Sequence, residues 1–186
     1  MSLKIIRTAT LGTSLYTFCE GILSDLKKKG YEVVAISSPD TDFDALRERM
    51  SVISRNMRAE TGEPVLCHND FYGPNFLVRG DEMWLIDWEY AAMGDPACDI
   101  GNFVAQGSGY SVEEAIGILP LYYGRDVTAS EARHCVAAVA VVGWYWYVWA
   151  MYKEAMGNPV GEWLYVWYRA ARQFGDAAEE LYAIDL

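Results

Sequence analysis

The feature that most constrains the fold of this sequence is a pair of short apolar runs near its middle. The runs cover Asn75–Arg79 and Met83–Trp88 and are joined around Gly80-Asp81. Two apolar runs separated by a short turn that contains glycine predict a β-hairpin. The polar residues on either side of this hairpin then decide which chemistry the chain can perform.

Several polar side chains meet at the open end of the predicted hairpin. A three-residue loop sets Asn75 opposite Asp87, whereas a two-residue loop sets Asn75 opposite Ile86. Either register brings Asn75 and Asp87 to the same end, and His68 and Asp70 lie on the loop that leads into it. The sequence therefore predicts two carboxylates, an amide and an imidazole within one small volume.

These groups are the ones that phosphoryl transfer requires. One carboxylate accepts the proton of an attacking hydroxyl, while an amide oxygen and a second carboxylate hold Mg²⁺ against the phosphates of ATP. The spacing His-x-Asp-x4-Asn, with a further Asp twelve residues later, matches the catalytic loop and metal-binding strand of protein kinases. Together with the later motif Gly94-Asp95-Pro96-x-x-Asp99, this spacing predicts a kinase-type site that uses ATP and Mg²⁺.

Composition excludes several other classes of protein. The 186 residues are 52% hydrophobic and 22% charged, which is typical of a globular protein. A net charge of −11 argues against nucleic-acid binding, which needs a basic surface. The four cysteines form no CxxC pair and indicate free thiols, and we find no signal peptide and no apolar run of about 18 residues. We therefore expect a cytoplasmic protein without membrane insertion.

The first part of the chain differs from the rest. Residues 1–60 carry nine basic and eight acidic side chains, whereas all seven tryptophans fall after them. The opening predicts a β-α-β unit: a strand at Lys4–Thr10, a helix from Ser14 to Lys29 and a strand at Tyr31–Ser37. The turn at Gly12 resembles an anion-binding loop only weakly, and a plain packing unit is the favoured interpretation.

After the hairpin the pattern is mainly helical. Residues 91–98 are predicted to be irregular, and Ser130 is the expected N-cap of the longest helix. The predicted helices cover Asp99–Gln106, Ser111–Tyr123, Ser130–Met156 and Gly161–Tyr182. A further helix is predicted to begin within Asp40–Met50.

Two motifs carry a resemblance to a known family. VLCHNDFYGPNFLV and LIDWEYAAMGDPACDIGNF resemble the choline/ethanolamine kinases, within the wider aminoglycoside-phosphotransferase-like kinases, and the likeness extends over residues 63–186. It implies Asp70 as the catalytic base, His68 as support of the loop, and Asn75 and Asp87 as Mg²⁺ ligands. It also implies that Asp99 braces the catalytic loop.

The same resemblance suggests where an amino alcohol would bind. Glu89 and Tyr90 match the family's carboxylate and aromatic residue near the substrate. The helix GWYWYVWAM at residues 143–151 presents aromatic rings on all sides, so most of them are expected in the core. A subset is expected to form a cage around a quaternary ammonium group, through cation–π contacts. The rings chosen for this cage are Trp144, Trp149, Trp163 and Trp167.

The resemblance does not extend to the first fifty residues. A kinase of this type has an N-terminal lobe with a Gly-rich loop, and no such motif occurs here. Residues 1–50 instead resemble the start of bacterial GT-B-type glycosyltransferases. We therefore predict an α+β fold: a βαβ segment over 1–50, then a mostly helical kinase-like C-lobe with a catalytic hairpin over 51–186, without the classical N-lobe.

Three functions follow from these patterns. The first is transfer of the γ-phosphate of Mg-ATP to the hydroxyl of choline, ethanolamine or a related amino alcohol. The second is a non-catalytic module that keeps an aromatic pocket for a cation. The third, a glycosyltransferase fragment, is the weakest, because a lone βαβ unit cannot build a nucleotide-sugar cleft. A C-lobe that lacks its partner lobe would expose apolar surface, which favours a homodimer.

Overall fold

The N-terminal part contains a short parallel sheet. The structure, a computed structural model, describes residues 4–9, 28–29, 32–37, 42–107 and 109–184. Strands β1 (Lys4–Ala9) and β2 (Glu32–Ser37) pair in parallel. Parallel neighbours need a long crossover connection, in agreement with the predicted β-α-β order. Apart from residues 28–29, the helix predicted between them and the turn at Gly12 lie outside the described residues.

Helix α1 (Phe43–Glu60) belongs to the main body of the protein. Its buried side chains recur every three or four residues and form one apolar face against the C-terminal helices. They are Leu46, Met50, Ile53 and Met57. The boundary predicted at residue 50 therefore falls inside a helix that packs along its whole length with the residues after it.

Two antiparallel strand pairs flank the loop that carries the predicted catalytic residues. Strand β3 (Val65–Cys67) pairs with β6 (Ala92–Gly94), and β4 (Phe76–Arg79) pairs with β5 (Glu82–Leu85). The loop between β4 and β5 has two residues, so the shorter of the two predicted registers is the one that forms. Its first residue, Gly80, has a φ of +59°, as in type II′ hairpins.

Strand β6 corrects the expectation that residues 91–98 are irregular. Three of these residues form the strand, and a helix begins before the stretch ends. The partner strand lies far away in the sequence, and three residues are too few to show a period. Local pattern alone therefore gives no signal for this pairing.

Helices make up most of the rest of the described chain. The helix predicted over residues 111–123 is divided at Ile118, because Pro120 lies in the first turn of the second piece and has no N–H to continue the first. The helices are α2 (Ala97–Gln106), α3 (Val112–Gly117), α4 (Leu119–Tyr123), α5 (Ala129–Ala155) and α6 (Trp163–Tyr182).

The N-cap of α5 is Thr128 and not Ser130 as predicted. The Thr128 hydroxyl accepts the N–H of Glu131 at 3.2 Å, and the Glu131 carboxylate accepts the N–H of Thr128 at 2.8 Å. This reciprocal capping box satisfies two backbone donors that the helix leaves open. The pair Ser130 and Arg133 cannot form it, because an arginine has no acceptor to offer the backbone.

Helices α5 and α6 pack closely and form the centre of the core. A Cβ at Gly143 would lie 2.9 Å from the backbone nitrogen of Ala171, so glycine permits the close approach. By length and composition alone, α5 is apolar enough to cross a membrane, but 67% of its most apolar window is buried inside the protein. An apolar helix whose surface is mostly buried is typical of the core of a globular domain, and α5 is such a helix.

The hairpin of β4 and β5 exposes much apolar surface. Val78 is 69% exposed and Met83 is 65% exposed, and Leu77 and Trp84 are also largely accessible. Exposed apolar patches of this kind often mark contact surfaces. The homodimer suggested by the sequence stays a prediction.

Candidate active site

The Asp99 side chain holds the loop between β3 and β4 through hydrogen bonds to its backbone. This carboxylate lies in the first turn of α2 and is 8% exposed. Its two oxygens accept the backbone N–H groups of His68, at 2.9 Å, and of Asn69, at 2.7 Å. Asn69 has a φ of +61°, a left-handed conformation that asparagine tolerates better than most residues. Asp99 thus lies where the resemblance placed it.

His68 links this loop to the strand that leads to Asp87. The ring is 1% exposed and packs edge-on against Trp88, with 4.8 Å between the ring centres. Its Nδ1 accepts the N–H of Asp70 at 3.2 Å, so Nε2 carries the proton and donates to the carbonyl of Ile86 at 2.8 Å. The imidazole therefore positions the loop, and its nitrogens are used for structural hydrogen bonds.

The carboxylate of Asp70 is held from both sides by amides. Asn75 Nδ2 donates to Asp70 Oδ2 at 3.1 Å, and Gln106 Nε2 donates to Asp70 Oδ1 at 2.8 Å. Each oxygen keeps a further lone pair that a hydroxyl group can use. Gln106 has no place in the predicted site, because it lies on α2, far from the loop in sequence and outside the motif spacing.

Asn75 and Asp87 lie at the same end of the hairpin, as predicted. The N–H of Ile86 donates to the carbonyl of Asn75 at 2.9 Å, which puts Asp87 one residue beyond the pair. Asp87 is exposed and has a φ of +64°. Because Asn75 uses its Nδ2 on Asp70, its Oδ1 remains as an oxygen donor for a hard cation.

These two side chains suit a magnesium ion that is shared with phosphates. Mg²⁺ in nucleotide sites takes one or two protein ligands and completes its shell with water and phosphate oxygens. Within the described residues, no three His, Cys, Asp or Glu side chains cluster as a metal centre that the protein alone could fill. One amide oxygen and one carboxylate are sufficient for the shared arrangement.

An aromatic cleft of about 420 Å³ lies next to Gln106, which also donates a hydrogen bond to Asp70. Its four rings come from four places in the chain, and Tyr72 and Trp163 meet edge-on with 5.9 Å between their centres. Gln106 lines the cleft and also contacts Asp70. The lining residues are Tyr72, Gly73, Phe103, Gln106, Gly107, Tyr110 and Trp163.

Three of the four predicted cage tryptophans lie in one aromatic group. Trp163 lines the cleft, and Trp167 stacks behind it with 5.5 Å between the ring centres. Trp149 meets Trp167 at 6.0 Å and carries Lys153 over its ring. Trp146, which the sequence analysis did not single out, stacks on Trp167 at 5.7 Å.

Trp144 does not join this group. It contacts Phe43 at 5.1 Å and Tyr147 at 5.7 Å, beside α1. Successive residues of an α-helix are rotated by about 100°, so residues two positions apart are separated by about 200°. Trp144 and Trp146 therefore face different sides of α5. The structure therefore places Trp144 outside the aromatic group that contains the other three predicted tryptophans, whereas Trp146 belongs to that group.

Glu89 and Tyr90 lie on the exposed turn that follows β5. The Tyr90 ring meets Trp146 at 6.2 Å, and its backbone carbonyl accepts the side-chain amide of Asn69 at 3.0 Å. Burial, and then the nearby Glu89 carboxylate, raise the pKa of the Tyr90 hydroxyl. Tyr90 therefore contacts the loop that carries Asp70, and Glu89 precedes it on the same turn.

His134 is part of an internal polar network and is not the surface or capping residue that its position suggests. Its Nε2 donates to Asp95 at 2.6 Å, and its Nδ1 lies 3.9 Å from Glu60. Burial alone would raise the pKa of Asp95, but hydrogen bonds from His134, the Ala97 N–H and Thr61 outweigh it and lower that pKa. The network joins the end of α1 to α5 and to the loop before α2.

Comparison with known proteins identifies the family of this chain. The model of a family described as phosphotransferase enzymes (APH) matches residues 28–134, more than half of the chain. This chain belongs to that phosphotransferase family. The match covers the loop between β3 and β4, the hairpin and α2, and it ends before the tryptophans of α5 and α6.

The curated relatives of this chain are longer than it is. Protein LicA of Haemophilus influenzae is 25% identical over 127 residues, which cover 64% of this chain and 47% of that protein. A second LicA from the same species is 28% identical over 102 residues, which cover 52% of this chain and 30% of that protein. The chain therefore spans less than half the length of these relatives.

Solved structures share its fold. A choline/ethanolamine kinase family protein from Mesorhizobium loti gives a TM-score of 0.60 at 21% identity, covering 91% of this chain and 55% of that one. Choline kinase LicA from Streptococcus pneumoniae gives 0.57 at 22% identity, with 74% and 49% covered. An ethanolamine kinase from Plasmodium vivax gives 0.55 at 22% identity, with 87% and 47% covered. The predicted kinase-like C-lobe is thereby confirmed.

The resemblance of residues 1–50 to glycosyltransferases gains no support from these comparisons. The phosphotransferase match begins at residue 28, inside that segment, and the Mesorhizobium loti structure covers nearly all of the chain. A parallel strand pair occurs in many α/β proteins and does not by itself identify a family.

Proposed function

We propose that this chain transfers the γ-phosphoryl group of Mg-ATP to the hydroxyl of a small amino alcohol of the choline or ethanolamine type. One observation carries the proposal: the Asp70 carboxylate accepts hydrogen bonds from two side-chain amides, and one of these amides, that of Gln106, also lines an aromatic cleft. A base beside an aromatic pocket suits an acceptor that has a hydroxyl at one end and a cation at the other.

In this proposal Asp70 acts as the general base. Its two hydrogen bonds fix the carboxylate plane, so that a free lone pair can take the proton of the acceptor hydroxyl as the oxygen attacks phosphorus. Asp99 and His68 keep the loop, and therefore the base, in place through three backbone hydrogen bonds.

Asn75 and Asp87 would hold the magnesium ion. When bound, the metal neutralises the phosphate charge and orients the γ-phosphoryl group. A LicA structure among the fold neighbours was solved with AMP, which supports a nucleotide as the second substrate. Three described cysteines, Cys67, Cys98 and Cys135, are free thiols, in keeping with a reducing cytoplasm where ATP is available.

The cleft favours a cationic acceptor. Tyr72, Phe103, Tyr110 and Trp163 present ring faces and edges, and each cation–π contact contributes about 0.5–2 kcal/mol, depending on desolvation. The net charge of −11 adds a general attraction for cations. A glycosyltransferase role has no comparable support in the site.

The test is release of ADP from Mg-ATP with choline, ethanolamine or 3,3-dimethyl-1-butanol, the uncharged analogue of choline. We expect choline or ethanolamine to stimulate release, and we expect the uncharged alcohol to need at least a tenfold higher concentration. Asp87→Ala should abolish the stimulation. Phosphorus NMR of the product would show that the phosphoryl group reaches the alcohol and not water.

Two results would contradict the proposal. If folded protein releases no ADP with any amino alcohol, it is not the proposed enzyme. Quenching of tryptophan fluorescence by choline in that same protein would then identify the non-catalytic binding module. If the uncharged alcohol serves as well as choline, the aromatic cleft does not select a cation.

A further inference from the structure

We propose that Gln106 is a positioning residue that fixes the Asp70 carboxylate and joins it to the acceptor cleft. This inference rests on the proposed function, because it assigns a task in that reaction. Gln106 is 7% exposed, donates to Asp70 Oδ1 at 2.8 Å and also lines the cleft. Among the residues that line the cleft, it is the one in hydrogen-bond contact with the base within the described chain.

The orientation of the Gln106 amide is set by Asn102, one helical turn earlier. Asn102 is 3% exposed and donates its Nδ2 to the carbonyl of Cys98 at 3.0 Å, so its Oδ1 is an acceptor. That oxygen accepts the indole N–H of Trp146 at 2.7 Å and Gln106 Nε2 at 3.3 Å. The contacts with Cys98 and Trp146 fix which end of the Asn102 amide is nitrogen, and the Asn102 oxygen in turn fixes the Gln106 amide.

This arrangement uses both hydrogens of the Gln106 amide. One points to Asn102 and the other to Asp70, so the side chain has no freedom to turn its carbonyl toward the base. Asn75 holds the second oxygen of Asp70. The base is therefore oriented by a buried chain of hydrogen bonds that runs from Trp146 through Asn102 and Gln106 to Asp70.

Only a primary amide performs this task at position 106. A glutamate has the same length, but its carboxylate offers no N–H to Asp70 or Asn102 and places two negative groups in contact. A leucine fills the space and donates nothing. Either change frees the Asp70 carboxylate, and a displacement of about 1 Å in a reacting group is enough to cost a hundredfold in rate.

The experiment compares Gln106→Leu and Gln106→Glu with the wild type and with Gln173→Leu. Gln173 lies on α6 and is not among the side chains that donate to Asp70 within the described residues, so its substitution repeats the chemical change away from the base. The turnover number and the Michaelis constant for choline are measured at saturating Mg-ATP. Thermal melting checks folding, and the glutamate variant preserves side-chain size if the leucine variant proves unstable.

The proposal expects kcat to fall at least tenfold in both Gln106 variants, while Gln173→Leu stays within twofold of wild type. A residue that only lines the cleft would raise the Michaelis constant and leave kcat within threefold, and that result would overturn the proposal. Wild-type protein without turnover would contradict the proposed function itself, and the inference would fall with it. The two failures are thus distinguishable.

Discussion

Asp70 and Asp99 are chemically identical, and their surroundings give them different tasks. Asp99 directs both oxygens at backbone N–H groups and is buried, whereas each oxygen of Asp70 accepts one hydrogen bond from a side-chain amide. The hydrogen bonds of Asp99 therefore define the shape of the loop. Those of Asp70 leave a further lone pair on each carboxylate oxygen.

We expect Asp99→Ala to destabilise the protein by roughly 2–4 kcal/mol, because two partly buried N–H groups lose their charged acceptor. Urea denaturation measures this change. Asp44→Ala is the matched control, since Asp44 is 68% exposed and its ion pair with Arg47 should contribute less than about 1 kcal/mol. Equal effects of the two substitutions would contradict the assigned role of Asp99.

Spacing identified part of the site and could not identify the rest. His68, Asp70, Asn75 and Asp87 share a motif whose intervals can be counted, and the structure brings them together. Gln106 and Asn102 are amides on a later helix, with no spacing that ties them to the loop. Their importance depends on side-chain orientation in a folded core, which no local pattern encodes.

Helices α5 and α6 depend on small residues where they cross. A Cβ at Gly143 would meet the backbone nitrogen of Ala171 at 2.9 Å and the Cβ of Ala170 at 3.1 Å. We expect Gly143→Ala to lower the free energy of unfolding by about 1–3 kcal/mol, because backbone cannot move aside easily. Gly117→Ala, which meets nothing within 4 Å in helix α3, should stabilise by up to about 1 kcal/mol. Denaturant titrations in which Gly143→Ala proves neutral would contradict the packing described here.

The capping box of α5 predicts a pH dependence. A hydrogen bond from Arg125, followed by one from the Thr128 N–H, lowers the pKa of Glu131 to about 2 from 4.5. A lowered carboxyl pKa stabilises the folded state fully above pH 4.5 and loses that effect as the pH falls toward 2. We expect Glu131→Gln to melt at a lower temperature than wild type at pH 7, with a gap that narrows below pH 4.5. A gap that is constant from pH 7 to pH 3 would exclude this origin.

Helices and strands could be predicted where the hydrophobic periodicity was regular or where the turn residues were characteristic. The hairpin, α1 and α6 follow from local patterns. The N-cap of α5 and strand β6 were missed. The cap was missed because two hydroxyl residues compete, at positions 128 and 130, and the reciprocal glutamate decides between them. The strand was missed because its pairing with β3 is long-range.

At the scale of the whole molecule, an internal polar network connects segments that are distant in sequence. Asp95 accepts hydrogen bonds from His134 and Thr61, and Glu60 accepts them from Arg133 and Tyr182. The end of α1, the loop before α2, the start of α5 and the end of α6 meet there. Asp95 lies four residues before Asp99 and accepts the N–H of Ala97, so the network also supports the start of α2.

We expect His134→Leu to destabilise the protein by roughly 1–3 kcal/mol at pH 7, because the largely buried Asp95 loses a partner. Thr61→Val removes a neutral donor from the same carboxylate and should cost less, about 0.5–1.5 kcal/mol. Chemical denaturation ranks the two variants. A histidine variant as stable as wild type would show that the network is not needed for folding.

The cleft proposed for the acceptor was harder to predict from the sequence than the loop that carries Asp70. Tyr72, Phe103, Tyr110 and Trp163 belong to the loop, to α2, to the segment after it and to α6. Only folding brings these four positions together. Of the four tryptophans expected in a cage, Trp163 lines this cleft, and the other rings of the cleft come from residues that the sequence pattern did not connect with it.

The most direct test of the account is the turnover number of Asp70→Asn with Mg-ATP and the preferred amino alcohol, beside wild type of equal thermal stability. Asparagine preserves the shape of the side chain and removes its capacity to accept a proton. General-base catalysis contributes typically 10²–10⁴-fold, so we expect kcat to fall at least about a hundredfold. A fall of less than tenfold in folded protein would contradict the assignment of Asp70 as the catalytic base.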